Sequence, residues 1–239
     1  MAYLSAGYYV TRLSDRGAHI PSELVPDKLL SASACICDFF PNGWAIAWAS
    51  VTDEERLKRA AAFGVSSSGL PAVLEWATDA FSKDFGWPNT FYELEAAKDA
   101  RARFLPADGD TVIIGLGLHQ DDAEVFLKAA TPPAPKPGFA PIGESGIFEC
   151  VSSGTKIRDG GEFLGFELVA TYLGILTCSW LCNGLEAVCA NQLGIPPNSH
   201  GLVQTYADAS RCAEFISRDG MSAEPGLWLP WRLSIYPTS

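Results

Sequence analysis

Residues 111–118 read Thr-Val-Ile-Ile-Gly-Leu-Gly-Leu, an apolar run with Asp108-Gly-Asp110 before it and His119-Gln-Asp-Asp122 after it. A short continuous run of this kind, punctuated by charge at both ends, is the pattern of a strand buried on both faces near the middle of a sheet. Directly downstream, Asp121 and Asp122 suit the electropositive first turn of a helix that reaches Ala130. Upstream, Thr90 and Glu93 have capping-box spacing ahead of a helix to about Phe104. Thr52-Asp-Glu-Glu55 has the same spacing and opens a helix to about Phe63. Ser68 is placed to cap a helix to about Phe85, with Pro71 in its first turn. Nearer the N-terminus, Tyr3–Arg12 alternates and is rich in aromatic and β-branched residues, and Gly43–Ser50 reads as a second strand.

Beyond the central run, residues 131–141 (Thr-Pro-Pro-Ala-Pro-Lys-Pro-Gly-Phe-Ala-Pro) hold five prolines and predict a semi-rigid, extended connection. Two α+β lobes follow, residues 1–130 and 142–239, joined by the linker 131–141; a single domain over 1–239 is the alternative. In the second half, Gly146–Ser152 reads as a strand, Arg158–Gly161 as a turn and Phe163–Leu173 as a longer strand. A helix begins at Ser179 or Asn183 and ends near Leu193-Gly194, where Pro196-Pro197 prevents continuation. Thr205 with Asp208 caps a helix to about Ser217. Leu227–Tyr236 alternates into a closing strand that Pro230 assigns to an edge or a bulge. Strands and helices mix without a regular βαβ beat. The expected class is therefore α+β, with mixed sheet or sheets packed against about five helices.

The 239 residues are 48% hydrophobic and 19% charged, enough apolar material for a full core. Seventeen basic against 28 acidic residues leave a net charge of −11, with a pI near 4.7. That field repels a phosphate backbone, and the densest basic pieces, Lys58-Arg59 and Arg101 with Arg103, lie beside carboxylates on predicted helices, so nucleic acid is not expected as a partner. No apolar run is long enough to span a membrane, and Met1–Val10 lacks a basic, then apolar, leader pattern. Seven cysteines without a paired framework fit a reducing, cytoplasmic setting, and the acidic pI is ordinary for cytosolic proteins of bacterial type.

Thr177-Cys-Ser-Trp-Leu-Cys-Asn-Gly-Leu-Glu186 is the segment most suggestive of chemistry. A thiol at a helix start is acidified, so Cys178 or Cys182 would be the nucleophile of an enzyme, with His200 as base and Asn183 or Glu186 orienting it. Against this, Cys178, Leu181, Cys182, Leu185, Val188 and Cys189 fall on one helical stripe, which predicts thiols packed inward. His119 with Asp121 is a second acid–base candidate at a strand end, although Asp121 equally serves as a helix cap. His19 has no partner in view. Cys35 and Cys37 alternate, so on a strand they share a face; no zinc-type pair faces them, and neither metal nor cofactor is expected. The glycines at 115 and 117 lack the third glycine of a dinucleotide fingerprint, and no phosphate loop or hydrolase elbow occurs. The tryptophans read as core, with Trp87, Trp228 and Trp231 placed to be partly exposed.

No catalytic set assembles in the sequence. The expectation is a non-catalytic, acidic, cytosolic protein-binding protein of the inhibitor or immunity type, neutralising a basic toxin or enzyme. Its contact carboxylates are Asp53, Glu54, Glu55, Glu75, Asp79, Glu93 and Glu95, on three helices of the first half. The alternatives are a cysteine-dependent hydrolase or transferase using Cys182, Cys178, His200 and His119, and a structural or assembly component of a phage or multi-protein complex.

Overall fold

Tyr3–Arg12 (β1), Thr111–His119 (β7), Leu227–Tyr236 (β10) and Glu162–Tyr172 (β8) lie side by side in that order. Thr90–Phe91 (β6) and Phe85–Gly86 (β5) extend the sheet past β1, and Ile175–Ser179 (β9) extends it past β8. Phe39–Phe40 (β4) also pairs with β1, which makes eight strands, all in antiparallel ladders. A separate two-stranded ribbon joins Ser14–Asp15 (β2) and Lys28–Leu29 (β3). The computed structural model describes residues 2–20, 23–41, 52–130, 145–172, 174–218 and 226–238. The expected strand at 43–50 and most of the interval around the proline stretch, 131–144, lie outside the described residues. Strands from both sides of that interval share the one sheet, since β7 pairs with β10 from Trp231↔Leu118 to Tyr236↔Ile113.

Helices cover both faces, and the fold is α+β. Side-chain alternation decides which residues face which helices. On one face, Tyr9, Ile114, Leu116, Leu118, Trp231 and Leu233 pack with Gln120–Ala130 (α4) and Gly146–Ser152 (α5). On the other, Tyr8, Val10, Ile113 and Tyr236 pack with Asp53–Ala62 (α1), Leu70–Ala80 (α2) and Leu94–Phe104 (α3). Farther along the same face, Phe166, Leu168, Ala170 and Trp228 meet Leu185–Leu193 (α6) and Tyr206–Ile216 (α7). No helix among the described residues is long and apolar enough to cross a membrane.

Several local expectations are revised. Gly146–Ser152 is a helix and not a strand: the Ser145 hydroxyl accepts from the Phe148 amide, and Ile147, Cys150 and Val151 are buried at helical spacing. α2 stops at Ala80, because Phe85 turns into β5 against Phe91. Neither Ser68 nor Thr90 caps a helix: Ser68 shares a hydrogen bond with Ser66, and the Thr90 hydroxyl donates to Tyr9 inside the sheet. At Thr52 the cap forms, accepting from the Glu55 amide at 3.3 Å, while the Glu55 carboxylate turns to Arg59. β10 is an interior strand, yet its pairing with β7 begins only at Trp231, so at Pro230 it has β8 alone as neighbour. Trp228 and Trp231 are buried and Trp87 half-buried.

Candidate functional site

β9 carries Cys178 next to its end, and a single 3-10 turn, Trp180–Asn183, places Cys182 after it. The Ser179 hydroxyl accepts from the Leu181 amide and starts that turn. Gly184 ends it at φ 66°, a left-handed conformation that a residue with a Cβ adopts only with strain, and the chain leaves in a new direction as α6. The expected single helical stripe is therefore broken into strand, tight turn and helix. Cys189 packs in the core, whereas Cys178 and Cys182 stay half-buried at the surface.

Residues 31–37 close over this corner, held by three hydrogen bonds to the sheet. The Ser31 hydroxyl and the Ala32 amide donate to the buried Glu167 carboxylate of β8 at 2.5 and 2.7 Å, and the Ser33 hydroxyl donates to the Thr177 carbonyl at 2.8 Å. The Ile36 and Cys37 amides both return to the Ser33 carbonyl, so the segment is a turn and not a strand. Cys35 and Cys37 consequently part: Cys37 is buried, and Cys35 is exposed with its sulfur 3.6 Å from the Thr177 carbonyl oxygen. The sulfurs of Cys35, Cys178 and Cys182 lie within 4.8 Å of one another. Asn183 donates its side-chain amide to the Cys178 sulfur at 3.2 Å.

This grouping sets the protonation of the thiols. The Cys182 thiol donating to the Cys35 sulfur lowers the Cys35 pKa to about 6, against a smaller opposing effect of burial and with help from Ser33, Cys178 and the charge of His19. The same hydrogen bond, with burial, drives Cys182 up. Cys35 is thus the thiolate at neutral pH. Burial raises the Glu167 pKa, with its hydrogen bonds to Ser31, Ala32 and Ser179 pulling the other way. Sequence reading set Cys35 and His19 aside, because neither carries a local pattern that points to residues 178–182.

Neither histidine proposed as partner of the thiols joins their cluster. His119 ends β7, stacks on Tyr206 at 4.1 Å, accepts from the Asp121 amide at its Nδ1 and sits 3.5 Å from the Asp121 carboxylate. His200 is exposed, and among the described residues no hydrogen bond joins its ring or that of His119 to a thiol.

The seven carboxylates expected to meet a partner are distributed over α1, α2 and the start of α3. Asp53 pairs with Arg56, Glu55 with Arg59, and Glu95 with Arg158 and Lys98. Glu54, Glu75, Asp79 and Glu93 are exposed and form no ion pair with another described residue. Glu93 opens onto a cleft of about 440 Å³ between the β1 bulge and α5, whose wall also presents Tyr8, Tyr92, Glu149, Lys156 and Arg158. Two carboxylates and two phenol rings thus share the wall with the cations of Lys156 and Arg158, of which Arg158 is engaged by Glu95. Comparison with known protein families, curated proteins and solved structures yields no match.

Proposed function

We propose that the chain is a non-catalytic, acidic, cytosolic protein of the inhibitor or immunity kind, which neutralises a basic protein partner. The observation that carries this reading is the cleft at the start of α3, where Glu93 and Glu149 stand beside Tyr8 and Tyr92, with Lys156 and the Glu95-paired Arg158 on the same wall as competitors that a partner's cation displaces. A lysine or arginine of the partner fits such a place as an anchor, desolvated by the rings and matched by the carboxylates. The net charge of −11 adds long-range attraction, and the unpaired carboxylates of α1 and α2 supply it on the neighbouring helix faces.

Affinity capture from the native host with the full chain tests the reading. A stoichiometric partner of basic pI is expected, released as salt rises toward about 0.5 M and no longer captured by a Glu93→Lys, Glu149→Lys double variant. Failure to recover a basic partner, or its equal retention by the double variant, would sink the proposal.

A further inference from the structure

Cys178 and Cys182, four residues apart, and the distant Cys35 have been brought to one surface corner, and core packing does not account for it. Cys37, Cys189 and Cys212 belong to the buried apolar clusters, as cysteine acting as a small hydrophobe should. Cys35, Cys178 and Cys182 belong to none of them and sit at the surface, exposed or half-buried. Their approach is imposed by separate polar tethers: Glu167 holds Ser31 and Ala32, Thr177 holds Ser33, and Gly184 terminates the turn that presents Cys182. One sulfur also receives an N–H donor, from Asn183, an interaction that favours a thiolate over a thiol.

We propose that Cys35, Cys178 and Cys182 form a binding site for a thiophilic metal ion of filled d shell, zinc or copper(I), with three thiolate ligands and one side open to solvent. The dimensions suit it. Three sulfurs bound to zinc at about 2.3 Å lie about 3.8 Å apart. Thiols already within 4.8 Å reach that spacing when each sulfur moves by no more than about 0.6 Å. That is roughly 20° of side-chain rotation, inside a single rotamer well. The two ligand segments come from different parts of the chain, so a bound ion would staple the 31–37 turn to β9 and the turn that follows it. Soft sulfur ligands select zinc and copper(I) over magnesium or calcium.

This inference is independent of the partner reading above. The test is a titration of the full chain, reduced and metal-free, with zinc and separately with copper(I), each against a chromophoric chelator. Cobalt(II) serves as the spectroscopic stand-in for zinc. One equivalent bound at nanomolar or tighter affinity is expected for at least one of the two ions. Intense visible cobalt bands accompanied by thiolate charge transfer identify the zinc case; tight copper(I) binding without them identifies the other. Cys35→Ser replaces an exposed residue and should leave the fold intact, which circular dichroism verifies. It should weaken binding by more than the roughly ten- to hundredfold that loss of a merely orienting group costs. Cys150→Ala, altered at a thiol outside the group, should bind as the parent does. Absence of stoichiometric binding overturns the proposal. So does equal affinity in Cys35→Ser, or a disulfide between two of the three sulfurs in protein whose thiols were blocked at lysis.

Discussion

Glu167 has no contact with solvent and sits on an interior strand, yet it takes hydrogen bonds from Ser31 and Ala32 of the 31–37 turn. Because burial raises its pKa in the folded state, the folded protein holds, between the unfolded and the folded pKa, a proton that the unfolded chain has released. Stability from this group is therefore full below the unfolded value near 4.5 and declines as pH rises toward the folded value. The slope from one such group is at most about 1.4 kcal/mol per pH unit. Glu167→Gln removes the titration while keeping an acceptor for the Ala32 amide. Urea unfolding of the variant from pH 4.5 upward should show a flatter pH dependence than the parent; parallel curves would mean Glu167 is ionised at no net cost. A second expectation concerns Cys35. Exposed, and thiolate at neutral pH, it should be alkylated by iodoacetamide before the other cysteines, with the rate falling below a pH of about 6. Peptide mapping after partial reaction checks this, and modification first at Cys178 or Cys182 would contradict it. Alternation predicted Cys35 and Cys37 on one face; the Ser33 turn separates them, and nothing near Cys35 encodes Thr177, 142 positions away.

Elements whose patterns are self-sufficient were legible, and those settled by partners were not. β7 and α4 announce themselves through an apolar run and a charged helix start, and they occur as Thr111–His119 and Gln120–Ala130. Residues 146–152 alternate weakly enough to suit strand or helix, and the Ser145 cap decides the matter. Ser145 has two duties: it accepts from Phe148, and its hydroxyl donates to the Gly174 carbonyl beside β9 at 2.5 Å. Ser145→Ala removes both at a buried position and should lower stability by about 1–2 kcal/mol, with an unchanged urea m-value. The glycine at 115 has an equally physical reason. A Cβ there would lie 2.6 Å from the Tyr236 ring and 3.1 Å from Tyr8, whose rings meet edge to face across the strand at 5.5 Å. Gly115→Ala should cost about 1–3 kcal/mol through overpacking, measured in the same way; a neutral result would show that the tyrosine pair repacks freely.

At the scale of the molecule, the proposed binding of a basic partner has charge and anchor making separable contributions to association. Composition predicted an acidic surface but not which carboxylates are free to act, because ion pairing depends on neighbours brought by the fold: Arg158 reaches Glu95 from 63 positions away. With Asp53, Glu55 and Glu95 engaged locally, Glu54, Glu75 and Asp79 are the residues whose reversal changes the outward field. Reversing those three to lysine takes the net charge from −11 to −5, two units for each residue. Since steering acts before contact, the triple variant should bind its basic partner with an association rate about tenfold lower at low salt, a dissociation rate little changed, and a deficit that shrinks as salt is added. Truncation of Glu93 and Glu149 to alanine should act the other way round. An anchor desolvated in a cleft is lost after encounter, so dissociation should accelerate by about tenfold or more while association holds. Surface plasmon resonance of both variants at two salt concentrations separates the two effects. A slow-association phenotype in the cleft variant, or a fast-dissociation one in the triple reversal, would place the contact on another face of the molecule.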